Sequence, residues 1–293
     1  MKFFLKLYLL LILTAAQCQP QDYGKLTYET TLPSILQENS GISLGTNDSQ
    51  IYVINDSGGS NQVFTVDVHS GKIIQDITVT NATNIDWEDL ASSGDDLFIG
   101  DFGNNENNRT DQTIYWVEDI AHITDPTYTT YAKSTTFTLE DQKKYPPKKG
   151  NHNFDIEAFI VHNSHFYLFT RNRNHGKNFD GTTKLYRVPQ KEGHHTAVLI
   201  DSFISCSDRD DCQITSATID HTTGKVAVLS YNKVWIFDNY EDDNFFTGYI
   251  HKIKLKHYSQ KESITFKDSN TLLISEEGTS KKNGNLYSLR IDN

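Results

Sequence analysis

The chain has 293 residues, 37% of them hydrophobic and 22% charged, with a formal net charge of −11. That length suits one large domain. The acidic balance, with no basic patch interleaved with aromatics, argues against nucleic acid or an anionic lipid surface as a partner.

The first residues read as an export signal. Lys2 and Lys6 flank and interrupt an apolar run from Phe3 to Leu13, and Thr14-Ala15-Ala16-Gln17-Cys18 follows. A positive start, an apolar centre and a small-residue exit mark a secretory signal. The run is shorter than the roughly 20 apolar residues a bilayer span needs, and no second run of that length follows. We expect a signal peptide over 1–18 and a single exported domain over 19–293. Two endings compete: cleavage after Ala16, or lipid attachment at Cys18, where Gln17 replaces the usual small residue. The expected location is the cell envelope through a lipid anchor, or secretion, with membrane contact only through that anchor.

From there on only strand-like runs appear. Five share one pattern: Val63-Phe64-Thr65-Val66, Ile114-Tyr115-Trp116-Val117, Leu185-Tyr186-Arg187-Val188, Val234-Trp235-Ile236-Phe237 and Leu286-Tyr287-Ser288-Leu289. Their aromatics are spaced 51, 71, 49 and 52 residues apart. An all-β chain repeating near fifty residues is the mark of a β-propeller. We predict five blades, whose inner strands start near Ser40, Glu88, Glu157, Ser216 and Glu262. The fifth blade ends one strand short, and Gly24–Leu32 supplies a candidate to pair with Leu286–Ile291 and close the ring. Six blades are the alternative; only Glu118–Asn151 has room for another, and it shows one clear strand and a Pro146-Pro147-Lys148-Lys149-Gly150 loop.

Polar residues recur at the inner-strand starts: Ser40-Gly41-Ile42, Glu88-Asp89-Leu90, Glu157-Ala158-Phe159, Ser216-Ala217-Thr218 and Glu262-Ser263-Ile264. Asn84-Ile85-Asp86-Trp87-Glu88 and Asn153-Phe154-Asp155-Ile156-Glu157 alternate polar and apolar residues, which puts the three polar side chains on one side of an extended segment. The ends of the second strands add Asp56-Ser57-Gly58, Asp101-Phe102-Gly103 and Glu276-Glu277-Gly278, with only Tyr231-Asn232 from the fourth blade. Carboxylates crowded at one channel mouth take up protons or hold a cation. Their oxygens suit a hard ion such as Ca2+. Glu88, Glu157 and Glu262 are the first candidate ligands, and Asp86, Asp155 and Asp101 are ligands or their supports. Hydrogen bonding between blades is the competing use of the same residues, and Asp-x-Gly is also ordinary turn chemistry.

Cys206 and Cys212 are expected to pair in an oxidising compartment and close a short polar loop. His162, His165, His194 and His195 read as turn residues. Arg171, Arg173 and His175 either meet an anionic ligand or offset the acidic mouth. Trp87 is expected between blades. The chain carries no nucleophile elbow, phosphate loop or dinucleotide fingerprint.

Asn84–Ala91, with Asp56-Ser57-Gly58 before it and Gly100-Asp101-Phe102-Gly103-Asn104-Asn105 after it, resembles a group of bacterial secreted propellers. Their signature is N-x-D-W-E-D-[IL]-A, with a later D-x-E-A copy, here Asp155-Ile156-Glu157-Ala158. The last-blade G-E-A-I segment is matched partly by Lys261-Glu262-Ser263-Ile264, and Ser40 and Ser216 depart from a full acidic ring. The group is similar to NHL-type and gluconolactonase-like propellers, some of which hold calcium in the channel and hydrolyse esters or lactones. Two functions follow as expectations. One is a binding or scaffold propeller with an ion at the mouth and an unknown ligand there: a small molecule, glycan or protein. The other is a calcium-dependent hydrolase of an ester, lactone or phosphoester. Glycoside hydrolysis would need two carboxylates in distinct roles, which the sequence does not separate.

Overall fold

The computed structural model describes residues 21–291; the expected signal peptide and Cys18 lie outside them. A closing strand β1 (Thr27–Thr31) comes first. Five antiparallel four-stranded units follow. The first is β2 (Asn39–Leu44), β3 (Gln50–Asn55), β4 (Gln62–Asp67) and β5 (Ile73–Val79). The second is β6 (Trp87–Ser93), β7 (Asp96–Asp101) and β8 (Thr113–Val117), completed, after a short β9 (Thr127–Thr130), by β10 (Lys133–Leu139). The third is β11 (Asp155–His162), β12 (His165–Arg171), β13 (Thr182–Pro189) and β14 (Gly193–Ile204). The fourth is β15 (Ile214–Ile219), β16 (Val226–Ser230), β17 (Lys233–Asp238) and β18 (Tyr249–Lys254). The fifth is β19 (Lys261–Asp268), β20 (Thr271–Glu276) and β21 (Asn285–Arg290), and its outer strand is β1, antiparallel to β21 with Thr27 opposite Ser288.

The expected closure by the N-terminal segment is therefore present. Glu118–Asn151 builds no further unit; β9 leaves its own sheet and pairs in parallel with β5. A similar link joins the second and third units. Residues 193–197 of β14 run parallel to β10, and residues 198–204 pair with β13.

Inner strands pack in the order β2, β6, β11, β15, β19 and back to β2. An apolar cluster fills each interface between successive units. Trp87, fully buried, packs with Tyr52, Ile54 and Val63 of the preceding unit, as expected. The repeated third-strand aromatics serve these cores too: Tyr186, Trp235 and Tyr287 are almost completely buried.

Asp89 closes the axis. Gly41, Asp89, Ala158, Ser216 and Ser263 occupy equivalent places on the five inner strands. The amides one residue further on point inward. Those of Leu90, Phe159 and Ala217 donate to the Asp89 carboxylate, that of Ile264 to Ser216 Oγ, and that of Ile42 to Ser263 Oγ. Ser216 Oγ also donates to Asp89 Oδ1 at 2.9 Å. Buried donors must find acceptors, and one carboxylate with two hydroxyls answers all five strands. Gly41 has no room for more, since a Cβ there would lie 2.9 Å from the Leu90 amide nitrogen. The belt separates two cups. One, of about 400 Å³, opens among Ser92, Thr218 and Thr265 at the far ends of the inner strands. The other is the acidic mouth.

Cys206 and Cys212 form a disulfide with Cα atoms 5.7 Å apart, in the loop before β15. Asp211, inside that loop, holds Lys233 and Asn232.

Candidate functional site

The mouth owes its side chains to five bulges. In each inner strand the register slips past one residue: Ser40, Glu88, Glu157, Thr215 and Glu262. A bulge leaves its extra residue out of the ladder and re-aims its side chain. The equivalent residue in the fourth unit is thus Thr215. The repeat of inner-strand starts sets Ser216 there, but Ser216 lies one step deeper, on the axis. Ser40 Oγ donates to Trp87 O, and Thr215 Oγ1 to Lys261 O, so both hydroxyls tie their unit to the next. The three glutamates line one cavity of about 240 Å³.

The second strands contribute the residue one beyond the partner of the pre-bulge position: Asp56, Phe102, Arg171, Tyr231 and Glu277. Asn55 faces Asn39 as Asp101 faces Trp87. Asp56-Ser57-Gly58 and Asp101-Phe102-Gly103 are accordingly out of step by one, not equivalent as their sequences suggest. Asp56, Arg171, Tyr231 and Glu277 line the cavity. Phe102 turns into the core against the Phe159 ring, and Asp101 is buried behind the mouth.

Two halves result. In the first, oxygens of Asp56, Asp86 and Glu88 lie within 4.8 Å of one another. Gly103 makes the space for them. A Cβ on it would lie 2.1 Å from Glu88 Oε1 and 2.4 Å from Asp86 Oδ2. Asp101 supports this half from behind, its Oδ1 accepting from Asp86 N at 3.0 Å and from Arg109 Nη1 at 3.1 Å. Asn84 Nδ2 donates to Asn55 O and Asp56 O, fixing the Asp56 turn to the second unit.

In the second half arginines neutralise the acids. Arg171 Nη1 donates to Glu157 Oε2 at 2.9 Å and lies 3.9 Å from Glu262 Oε2. Arg173 donates to Glu157 Oε1 and to Asp155 Oδ2. Arg171 Nη2 donates to the Tyr231 hydroxyl at 2.8 Å, which donates onward to Glu262 Oε1 at 3.3 Å. Of the two alternatives left by the sequence, the arginines offset the acidic mouth.

Titration follows this division. Burial, with Asp56 and Glu157 adding repulsion, pushes Asp86 up to about 7. Burial and the charge of Glu157 push Glu88 well above the usual carboxylate range. Burial also raises Asp56. Burial takes Glu262 to about 8 despite Arg171, and Asp155 to about 8 despite Arg173. Glu157 goes the other way: burial opposes its charge, but Arg171 and Arg173 together hold it below its ordinary value.

All six predicted carboxylates therefore gather at one end of the axis, in different roles. Glu88, Glu157 and Glu262 line the cavity, Asp86 joins Glu88 and Asp56, and Asp155 and Asp101 sit behind. Sequence reasoning passed over Arg109, a lone arginine in an Asn-rich loop with no distinguishing signal. It also passed over Asp89 as the axial group, although it is the third acid of the Asp86–Asp89 run. A separate trio, Asp95, Asp119 and His122, is exposed beside the β6–β7 turn, at the end of the inner strand away from the mouth.

The fold and site together define a β-propeller-like protein with an acidic axial mouth. No known protein family matches the sequence, and no curated protein does. Among solved structures the chain is similar to the PQQ-bound aldose sugar dehydrogenase of Streptomyces coelicolor. The TM-score is 0.52 and the identity 9%, over 94% of this chain and 100% of that one. At that identity the likeness shows the fold alone.

Proposed function

We propose that the chain is a five-bladed propeller, exported to the cell envelope, that acts as a binding module with a calcium-type ion held by Asp56, Asp86 and Glu88. One observation carries the ion: three carboxylates from two adjacent blades converge where Gly103 keeps space free. Desolvated carboxylates this close repel one another and take up protons or a cation, and carboxylate oxygens match calcium. Glu157 stands beside the ion site without joining it, because Arg171 and Arg173 already take both its oxygens. The signal-like N-terminus supports export. The signature around Trp87 supports kinship with secreted propellers of the NHL and gluconolactonase type.

Charge decides among ligands. Glu38, Asp56, Glu88, Glu157, Glu262 and Glu277 line the mouth against two guanidiniums, both engaged. Glu88, Glu262 and Glu277 hold protons near neutral pH and both guanidiniums are committed to Glu157, so the mouth offers an anionic phosphoester no free guanidinium and favours neutral or cationic ligands. PQQ, a tricarboxylate, does not suit such a lining. Binding is favoured over catalysis because the mouth presents no histidine and its one serine is tied to Trp87 O. Hydrolysis of a neutral ester or lactone is the second reading, supported by Glu262 near neutrality beside Tyr231, since a carboxyl that titrates near the working pH suits proton transfer.

The test is calcium added to chelator-treated protein. Millimolar calcium should raise the melting temperature, because a ligand that binds only the folded state stabilises it. Asp86→Asn should abolish the rise. An unchanged melting curve in the parent protein overturns the ion site. A panel of neutral esters and lactones, with and without chelator, decides the second reading, with Glu262→Gln as its control.

A further inference from the structure

The mouth continues sideways into a second, larger cleft. Its volume is about 800 Å³, and it runs between the closing N-terminal segment and the loops of the fifth unit. Gln260 and Glu277 line both spaces. Tyr231 of the mouth and Tyr258 of the cleft meet edge to face, ring centres 6.1 Å apart. The track from the axis to the rim is therefore continuous.

Aromatic faces and uncommitted amides line its outer part. Tyr23 and Tyr28 stack at 5.8 Å with planes 18° apart, and Tyr28 remains 42% exposed. Tyr258 is 56% exposed. Tyr23 is itself braced by Tyr287 and His257, at 5.3 and 5.6 Å. A chain of hydrogen bonds fixes the floor: the Tyr28 hydroxyl meets Thr31 Oγ1 at 2.8 Å, Thr31 donates to Asn285 Oδ1, and Asn285 Nδ2 donates to Glu276 Oε1. Among the described residues the Gln260 and Asn283 side chains make no hydrogen bond within the chain. Burying rigid rings on both walls contributes apolar contact at little entropic cost, while free amides both donate and accept.

We propose that this cleft binds a neutral oligosaccharide, whose chain lies along the track from the Tyr23–Tyr28 wall past Tyr258 to the mouth. Sugar rings present flat C–H faces to aromatics and hydroxyls at their edges to amides, which is the complement of these walls. Neutrality follows from the mixed lining of the cleft, where Lys281 and Lys282 stand with Glu276 and Glu277, and from the acidic mouth at the inner end. Length follows from the continuity of the two spaces, since a single sugar would fill only part of either.

The cleft does not depend on the ion, and the test separates them. Soluble hexamers of β-1,4-glucose, α-1,4-glucose and β-1,4-N-acetylglucosamine are titrated into the full chain by calorimetry, with calcium and with chelator. At least one hexamer should bind in both conditions, more tightly than its monosaccharide. Tyr258→Ala should weaken that binding about tenfold or more, with the melting temperature unchanged. Tyr28→Ala, which removes one ring of the Tyr23–Tyr28 wall, should weaken binding as well. The proposal is overturned if no hexamer binds at millimolar concentration, if monosaccharide and hexamer bind alike, or if hexamer binding is indifferent to Tyr258→Ala. Loss of binding in chelator alone also overturns it, because it would place the sugar on the ion.

Discussion

At the scale of single residues, Gly103 offers the cleanest probe of the mouth. Its backbone is not in the left-handed region, so alanine there meets no conformational barrier of its own. The added methyl would instead collide with Glu88 and Asp86. Gly103→Ala should therefore keep the fold, with a cost on the order of 1–3 kcal/mol from crowding, and lose the calcium-dependent rise in melting temperature. Retention of the full rise would show that the ion, if bound, sits elsewhere. Protonation gives a second residue-scale prediction. Asp86 at about 7 and Glu262 at about 8 hold their protons more tightly in the folded chain than in the unfolded one. The folded state then binds more protons across this range, so stability falls as pH rises. The favourable contribution is complete below about pH 4 and is lost by about pH 8, passing through the folded values just given. Glu157, held low, acts in the opposite direction, but only in more acid solution. Melting of chelator-treated protein should drop between pH 5 and pH 8, by rough expectation from those values, and calcium should restore more at the alkaline end. A melting temperature that climbs across the interval without calcium would contradict the assignment.

At the scale of strands, the bulge separates what the sequence shows from what it hides. The third-strand aromatics at 64, 115, 186, 235 and 287 mark the repeat because each must bury a ring between neighbouring sheets, a demand that composition records. The glutamates at 88, 157 and 262 were legible for a similar reason, since few residues can stand at a crowded mouth. The register was not legible. A bulge inserts one residue without any fixed residue type, and a slip of one moves every side chain to the other face. Ser216 was thus set level with Glu88, where the ladder puts Thr215, and Asp101 was set level with Asp56, where the ladder puts Phe102. Arg171 and Arg173 were visible as charges, but only coordinates assign them to Glu157 and Asp155. The same ladders place the Asp89 carboxylate against amides of three strands. Asp89→Ala leaves those three donors and the Ser216 hydroxyl without an acceptor. At about 1–3 kcal/mol for each buried unpaired group, the loss should reach at least 3 kcal/mol by chemical denaturation. Asp89→Asn should cost less, since one oxygen remains, yet its amide would face donors. Equal stability of Asp89→Ala and the parent would mean that the axis admits water freely.

At the scale of the whole molecule, the ring is held where β1 pairs with β21. Segment 21–32 does more than supply a strand. Leu26 packs in the cluster between the fourth and fifth units, and Leu32 in the cluster between the fifth unit and the first. One short stretch thereby seals two of the five interfaces, and β1 covers the β21 edge that would otherwise stand open to association. Burying the two leucines contributes about 3–6 kcal/mol, against a net stability of about 5–15 kcal/mol for a typical domain. Deleting residues 21–32 should consequently leave the protein aggregated or unfolded at room temperature. Because such a loss has many causes, point variants sharpen the test. Leu32→Ala, at a fully buried position, should cost about 2–5 kcal/mol. Glu29→Ala, on the same strand and partly exposed, should change stability by less than about 0.5 kcal/mol. The deletion should also remove the Tyr23 and Tyr28 wall and with it any binding of neutral hexamers, whereas Leu32→Ala, wherever it remains folded, should keep it. If Leu32→Ala melts with the parent, the ring is closed by something other than the meeting of its ends, and the mouth loses the rigid frame on which the convergence of Asp56, Asp86 and Glu88 depends.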